Sequence, residues 1–372
     1  MDYATAIRAV LGSSGVSPAR QFMANDEPIT TRRWSGAVLP LAAVFLFLIG
    51  LVRADEGQGG ELKIMQPATV GGTPVSKQPV FGSAAWVKVT DAAAFSPRDT
   101  AEDAVFDGRM WLSNGYYHGN VLYRDLWAST DGLTWAKILD NTPYDGYSEM
   151  AVFDGKLWAV KSSVWCTEGG VVWRQVLDKT PFGERGYGEL VVHDGKMWQL
   201  GSGADVWNTA DGIHWTCVCN EAPYGDRAAS AVVVHDGKLW LMGGRLRGEN
   251  TPPDKGYKQY TTFNDIWCSA DGANWARVVE HAPWSPRMWF IAKEYAGEIW
   301  IVGGYDNANA ANLGDVWHSA DGQDWKAFAP ETTFSPRHEP TLYVYDHSLW
   351  VVAGNSWPVK NDVWRLTLPG AQ

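Results

Sequence analysis

The chain has 372 residues, a net charge of −11 and four cysteines. That charge argues against nucleic acid and anionic membrane surfaces as partners, and no cysteine spacing resembles a zinc site. The 22 tryptophans, most of them regularly spaced, point instead to a repeat architecture.

Residues 1–54 read as an export leader. Ala37 to Val52 is an apolar run of 16 residues interrupted by Pro40 and Gly50 and preceded by Arg32-Arg33. It is short for a spanning helix of about 20 residues and suits a signal-peptide core. Val52-Arg53-Ala54 offers the small residues that a signal peptidase reads, so cleavage is expected after Ala54, with secretion or periplasmic export as the result. An uncleaved N-terminal anchor is the alternative, and a start at Met23 would give a leader of ordinary length. Residues 55–80, rich in Gly, Gln, Pro and Thr, read as a flexible tether.

Residues 81–370 read as one all-β domain, a six-bladed propeller. One tryptophan set follows an Asp-Gly-Lys-Leu-like phrase: Trp111, Trp158, Trp198, Trp240, Trp300 and Trp350. A second closes an Asp-Val-Trp-like phrase, at Trp127, Trp165, Trp207, Trp267, Trp317 and Trp364. A third follows an Asp-Gly turn, at Trp135, Trp173, Trp215, Trp275 and Trp325, and its sixth member stands at the other end of the chain as Trp86. The repeat length of roughly 40 to 60 residues is that of propeller blades. In the fourth unit, strand a is predicted over Ala231 to His235, b over Lys238 to Met242, c over Asp265 to Cys268 and d over Trp275 to Val279. Asp-Gly pairs at both hairpin turns favour the positive dihedrals of a tight connection. The last unit ends after strand c, and Ala85 to Val89 reads as its missing strand d, so an N-terminal outer strand is expected to close the ring and remove its open edge. The cysteines sit on strands c and d at positions that do not face one another between neighbouring blades, and unpaired thiols are expected.

The units resemble kelch repeats, as in six-bladed kelch propellers and the central domain of galactose-oxidase-like proteins. The residues carrying the resemblance are Gly243-Gly244 and Gly303-Gly304 after strand b, the residue before each doublet and the strand-c Trp. The segment Ser129 to Trp135 is similar to the Asp-box of sialidases, one residue shorter between Asp and Gly. The kelch resemblance implies the fold; it does not choose between binding modules and enzymes.

Both hairpin turns of each blade lie on one face, so variation falls on the other, where binding and catalysis usually reside. Long b–c loops in blades 1, 4, 5 and 6 wall a cleft there, carrying Tyr117, His118 and Trp357. Five d–a loops place an arginine at one position: Arg98, Arg185, Arg227, Arg287 and Arg337. Blade 2 has Asp145 there. In kelch propellers this position lies near the channel mouth, so the resemblance implies converging guanidiniums able to hold an anionic group; hydrogen bonding of loop carbonyls is the structural alternative. Four residues on, blades 1, 2 and 3 present Glu102, Glu149 and Glu189. Carboxylates close to an axis raise one another's pKa, so these three are the candidate acid–base groups, with pairing to the arginines as the alternative. Trp284, Trp289 and Trp357 break the tryptophan pattern and are the candidate stacking residues. His338-Glu339 is a further polar pair.

No metal-ligand cluster, cofactor motif, nucleophile elbow or phosphate loop is visible. Two functions fit. The first is an exported kelch-type propeller that binds a glycan or an extracytoplasmic protein through its variable face. The second, implied by the resemblance, is a carbohydrate-acting enzyme on acidic sugars, similar to N-acetylneuraminate epimerases (mutarotases) or to sialidases.

Overall fold

The computed structural model describes residues 84–117, 121–247 and 260–369. The leader, the tether and His118 lie outside the described residues. Six four-stranded antiparallel sheets are present, five in the order a-b-c-d and a sixth whose outer strand comes from the N-terminal end. The innermost strands of successive blades touch in a closed circle, blade 6 meeting blade 1. The described chain is a six-bladed β-propeller.

The fourth blade shows how the residues produce the sheet. Strands a and b occupy Ala231–His235 and Lys238–Met242, as predicted, while c and d begin one residue later than expected, at Ile266–Ser269 and Ala276–Val279. The a–b turn places Asp236 at φ 47° and Gly237 at φ 66°, the doubly left-handed geometry whose twist matches the flanking strands. The c–d turn differs. There Ser269 Oγ accepts the Gly272 N–H at 2.8 Å, and Asp271 Oδ1 accepts the N–H groups of Ala273 and Asn274 at 2.9 and 2.8 Å. Side-chain acceptors, and not two left-handed residues in succession, hold this second turn.

Each tryptophan set has its own task. Five of the six strand-c indoles donate to an aspartate two residues earlier, as Trp267 does to Asp265 Oδ2 at 2.8 Å, while Trp165 donates to Ser163. Strand-d indoles close the c–d turn, Trp275 donating to the Gly272 carbonyl at 2.8 Å. Strand-b tryptophans join the blades. A Cβ on Gly212 of blade 3 would stand 2.2 Å from the ring of Trp158 in blade 2, and Gly170, Gly272, Gly322 and Gly132 meet Trp111, Trp198, Trp240 and Trp350 in the same way. Only a glycine leaves room for the ring, and each such ring removes a large apolar surface from water.

Ring closure follows the sequence expectation. Val87 and Lys88 of strand Val87–Thr90 pair with Arg365 and Trp364 of strand Val363–Leu366. Trp86 is 1% exposed and meets Phe334 edge-on at 5.1 Å, so it packs with blade 6 in the manner its displaced position implied. The four cysteines are unpaired.

Candidate functional site at the channel mouth

The five arginines are not a converging ring. Each is turned into its own blade against the aspartate just before strand c: Arg98 with Asp125, Arg185 with Asp205, Arg227 with Asp265, Arg287 with Asp315 and Arg337 with Asp362. Arg337 donates through Nη1 to the Ala353 carbonyl and Asp362 Oδ1, both at 2.7 Å, through Nη2 to Asp362 Oδ2 and Ser335 Oγ, and through Nε to the Ser335 carbonyl. Arg287 repeats the set with Ser285, Gly303 and Asp315. All five N–H donors of both guanidiniums are therefore engaged. Burial is the largest influence on the aspartates and favours their neutral form. The arginine and indole hydrogen bonds outweigh it, and Asp125, Asp205, Asp315 and Asp362 are held below the usual carboxylate range. Blade 2 lacks both partners at once, with Asp145 at the arginine position and Ser163 before Trp165. That joint absence was a signal in the sequence that the two positions serve each other.

Two residues beyond the arginine register stands a ring of which sequence reasoning singled out only Trp289 and Glu339: Thr100, Tyr147, Tyr187, Ala229, Trp289 and Glu339. All six have left-handed φ, between 48° and 62°, a conformation costing a non-glycine residue on the order of 1–3 kcal/mol. Hydrogen bonds between blades hold it. Ala229 N–H donates to the Tyr187 carbonyl at 3.0 Å, Trp289 to Ala229 at 3.2 Å, Glu339 to Trp289 at 2.8 Å and Thr100 to Glu339 at 3.4 Å. The turned backbone thus links the innermost loops from Tyr187 through Ala229, Trp289 and Glu339 to Thr100, and all six residues line the mouth. Tyr147 lies 6.2 Å from Tyr187, and Tyr187 lies 6.2 Å from Trp289, ring centre to ring centre. Ala229, which falls between these last two, is small enough to let them meet. Trp289 continues the arc to His338 at 5.3 Å and His338 to Trp357 at 5.4 Å.

Beneath this arc lie Glu102, Glu149 and Glu189, the first residues of three innermost strands. A cavity of about 90 Å³ at the mouth is lined by these glutamates, Asp103, Tyr147, Tyr187, Trp289 and Glu339. A wider channel section of about 370 Å³ shares Glu102, Asp103, Glu149 and Glu189 and adds Lys293. Glu149 is buried, while Glu102 and Glu189 keep some solvent contact along the channel; protein encloses all three. Burial, followed by the neighbouring acids, raises Glu102 and Glu149 well above the usual range, with the Gly188 N–H and Gln199 partly opposing this at Glu149. Burial pushes Glu189 up to about 8 against the pull of Lys293. Burial also works against the charge of Lys293, yet its ion pair with Asp103 at 2.8 Å and the nearby glutamates raise its pKa. At neutral pH Glu189, pushed up to about 8, can therefore keep its proton and donate a hydrogen bond as well as accept one, and burial shifts Glu102 and Glu149 in the same direction.

Of the other expected site residues, Trp284 is 2% exposed and packs in the blade core against Phe290 and Trp325, so it offers no face to a ligand. Trp357 is 55% exposed at the outer end of the arc. Tyr117 is exposed beside Tyr123 and does not line the cavity. The structure also brings together Asp99, His338 and Glu339, whose potential ligand atoms lie within 4.8 Å of one another, where the sequence suggested no metal cluster. No family model and no curated protein matches the sequence.

Proposed function

We propose that this is an exported, kelch-type propeller that binds a neutral or amino sugar, free or at the end of a glycan, in the channel mouth. The observation that carries the reading is the arc Tyr147, Tyr187 and Trp289 standing over the carboxyl ring Glu102, Glu149 and Glu189 in one cavity. Aromatic faces suit the C–H surface of a sugar ring, and carboxyl groups able both to donate and to accept suit its hydroxyls. The kelch assignment is supported by the glycine doublets. Gly243 and Gly244 have φ of 54° and 88°, and a Cβ on Gly244 would lie 2.1 Å from Ser230 Oγ. A sugar carboxylate is a poorer match, because the arginines are committed within the blades and the channel is dominated by acids.

A glycan array, followed by calorimetry on the best hit, tests this. Tyr147→Ala and Tyr187→Ala should each weaken binding roughly five- to tenfold, as loss of an aromatic contact worth about 1 kcal/mol requires. An array without signal, and no saturable binding of simple sugars, would remove the proposal.

A carbohydrate-acting enzyme is the second reading, and Glu189 favours it. A carboxyl pushed up to about 8 is protonated at neutral pH and suited to general acid catalysis. An assay of sugar-anomer exchange by NMR, wild type against Glu189→Gln, separates the two: turnover that falls by orders of magnitude with binding retained identifies the enzyme.

A further inference from the structure

We propose that Asp99, His338 and Glu339 form a binding site for one divalent first-row transition-metal ion at the seam between blades 6 and 1, beside the channel mouth. The proposal is independent of the sugar reading. Three donor groups of the right chemistry converge there: an imidazole and two carboxylates, with ligand atoms within 4.8 Å of one another. His338 Nε2 and Glu339 Oε2 are 4.0 Å apart, inside the roughly 4.4 Å that spans two ligands held at about 2.2 Å on opposite sides of one ion.

The surroundings set up the ligands. Asn312 Nδ2 donates to the Asn355 carbonyl at 2.8 Å, which fixes its amide, and its Oδ1 then faces His338 Nδ1 at 2.6 Å. An acceptor at that position keeps the proton on Nδ1 and gives the lone pair to Nε2, the nitrogen on the side of Glu339. This is the outer-shell arrangement that orients a metal-binding imidazole. Asn355 Nδ2 donates to Asp99 Oδ2 at 2.8 Å and holds the first carboxylate in place. Thr100 Oγ1 stands between the two acids, 3.1 Å from Asp99 Oδ1 and 2.9 Å from Glu339 Oε2, with one proton to offer. Glu339 Oε1 is shielded from water and has no hydrogen-bond partner.

Two carboxylates and an imidazole this close together suit a shared cation, and Glu339 Oε1 is an oxygen that could turn to it. A dication would engage both acids and the imidazole at once. The imidazole selects zinc, cobalt, nickel or iron over magnesium and calcium, which prefer all-oxygen sites. Glu339 also lines the mouth cavity, so the ion would sit where the cavity wall meets the seam.

The test uses chelator-treated full-length protein. Calorimetric titration with Zn2+, and optical titration with Co2+, should each show one saturable equivalent, with Ca2+ and Mg2+ at least tenfold weaker. Glu339→Gln, nearly isosteric, should weaken Zn2+ and Co2+ at least tenfold and abolish the Co2+ absorption band while the far-ultraviolet spectrum stays unchanged. Asn312→Leu, which removes the outer-shell acceptor together with the bond to the Asn355 carbonyl, should weaken binding about 10- to 100-fold. The absence of a saturable equivalent overturns the proposal. So does binding that is insensitive to Glu339→Gln, since the ion would then be held elsewhere on the chain, and so does a preference for Ca2+ over Co2+.

Discussion

Replacing Arg337 by alanine should destabilise the propeller without touching ligand affinity. Arg337 is fully buried and its partner Asp362 is 12% exposed. The change discards five engaged N–H donors and leaves a carboxylate with little access to water. Breaking a buried pair by removing one member costs about 3–5 kcal/mol, and at about 2–4 °C per kcal/mol for a large domain the melting temperature should fall on the order of 10 °C. Arg287→Ala provides the internal comparison. Its guanidinium is equally buried, but Asp315 is 37% exposed and can be rehydrated, so the loss should be about half as large. Calorimetric melts of both variants, with affinity for the sugar identified on the array measured per folded molecule, check the ranking. A parental melting temperature for Arg337→Ala would refute the staple assignment. Affinity that falls while the melting temperature holds would make the guanidinium a ligand group after all.

Gly212→Ala should cost more than about 2 kcal/mol in denaturant melts, because its Cβ would stand 2.2 Å from Trp158 and the left-handed φ of 75° disfavours any side chain; Gly155→Ala, with open space around it, should cost only the backbone part. Trp86→Ala should cost about 3–5 kcal/mol and removal of residues 84–90 should abolish cooperative melting, both read by calorimetry. Glu189→Gln should raise stability at neutral pH. Its folded pKa of about 8 against 4.5 means that the unfolded chain releases this proton first as pH rises, so stability is greatest below 4.5, is lost up to about 8 and should depend less on pH in the variant, as melts across that range would show.

The propeller was legible because its cues are local. Asp-Gly at a tight turn and a tryptophan at a fixed place in each strand act within a few residues, and six repetitions turn weak cues into an architecture. The displaced Trp86 was readable for the same reason, as a gap at one end matched by a surplus at the other. Of the two readings of the arginines, the structural one holds, since each guanidinium donates to a loop carbonyl; what went unread was the aspartate partner, although the Asp-x-Trp phrases at Asp125, Asp205, Asp265, Asp315 and Asp362 recur in the same five blades. That the three glutamates come together at the mouth was legible, since their strand register alone places them there. The ring Thr100, Tyr147, Tyr187, Ala229, Trp289 and Glu339 was hidden because its members share a backbone dihedral and no residue type. Asp99 and His338-Glu339 were harder still: they meet only where the two ends of the propeller close on each other.

That closure also dictates an order of events. Val87 cannot find Arg365 until the ribosome has delivered nearly the whole chain, and the loop to be closed is about as long as the domain, which makes this pairing the slow, entropically costly contact of the set. Blades 1 to 5 can assemble from neighbours in sequence, while the first-made strand waits beside them with its hydrogen-bonding groups unpaired. Single-residue changes in Val87–Thr90 should therefore slow maturation more than they lower equilibrium stability, and the yield of active protein should follow the speed of this last step.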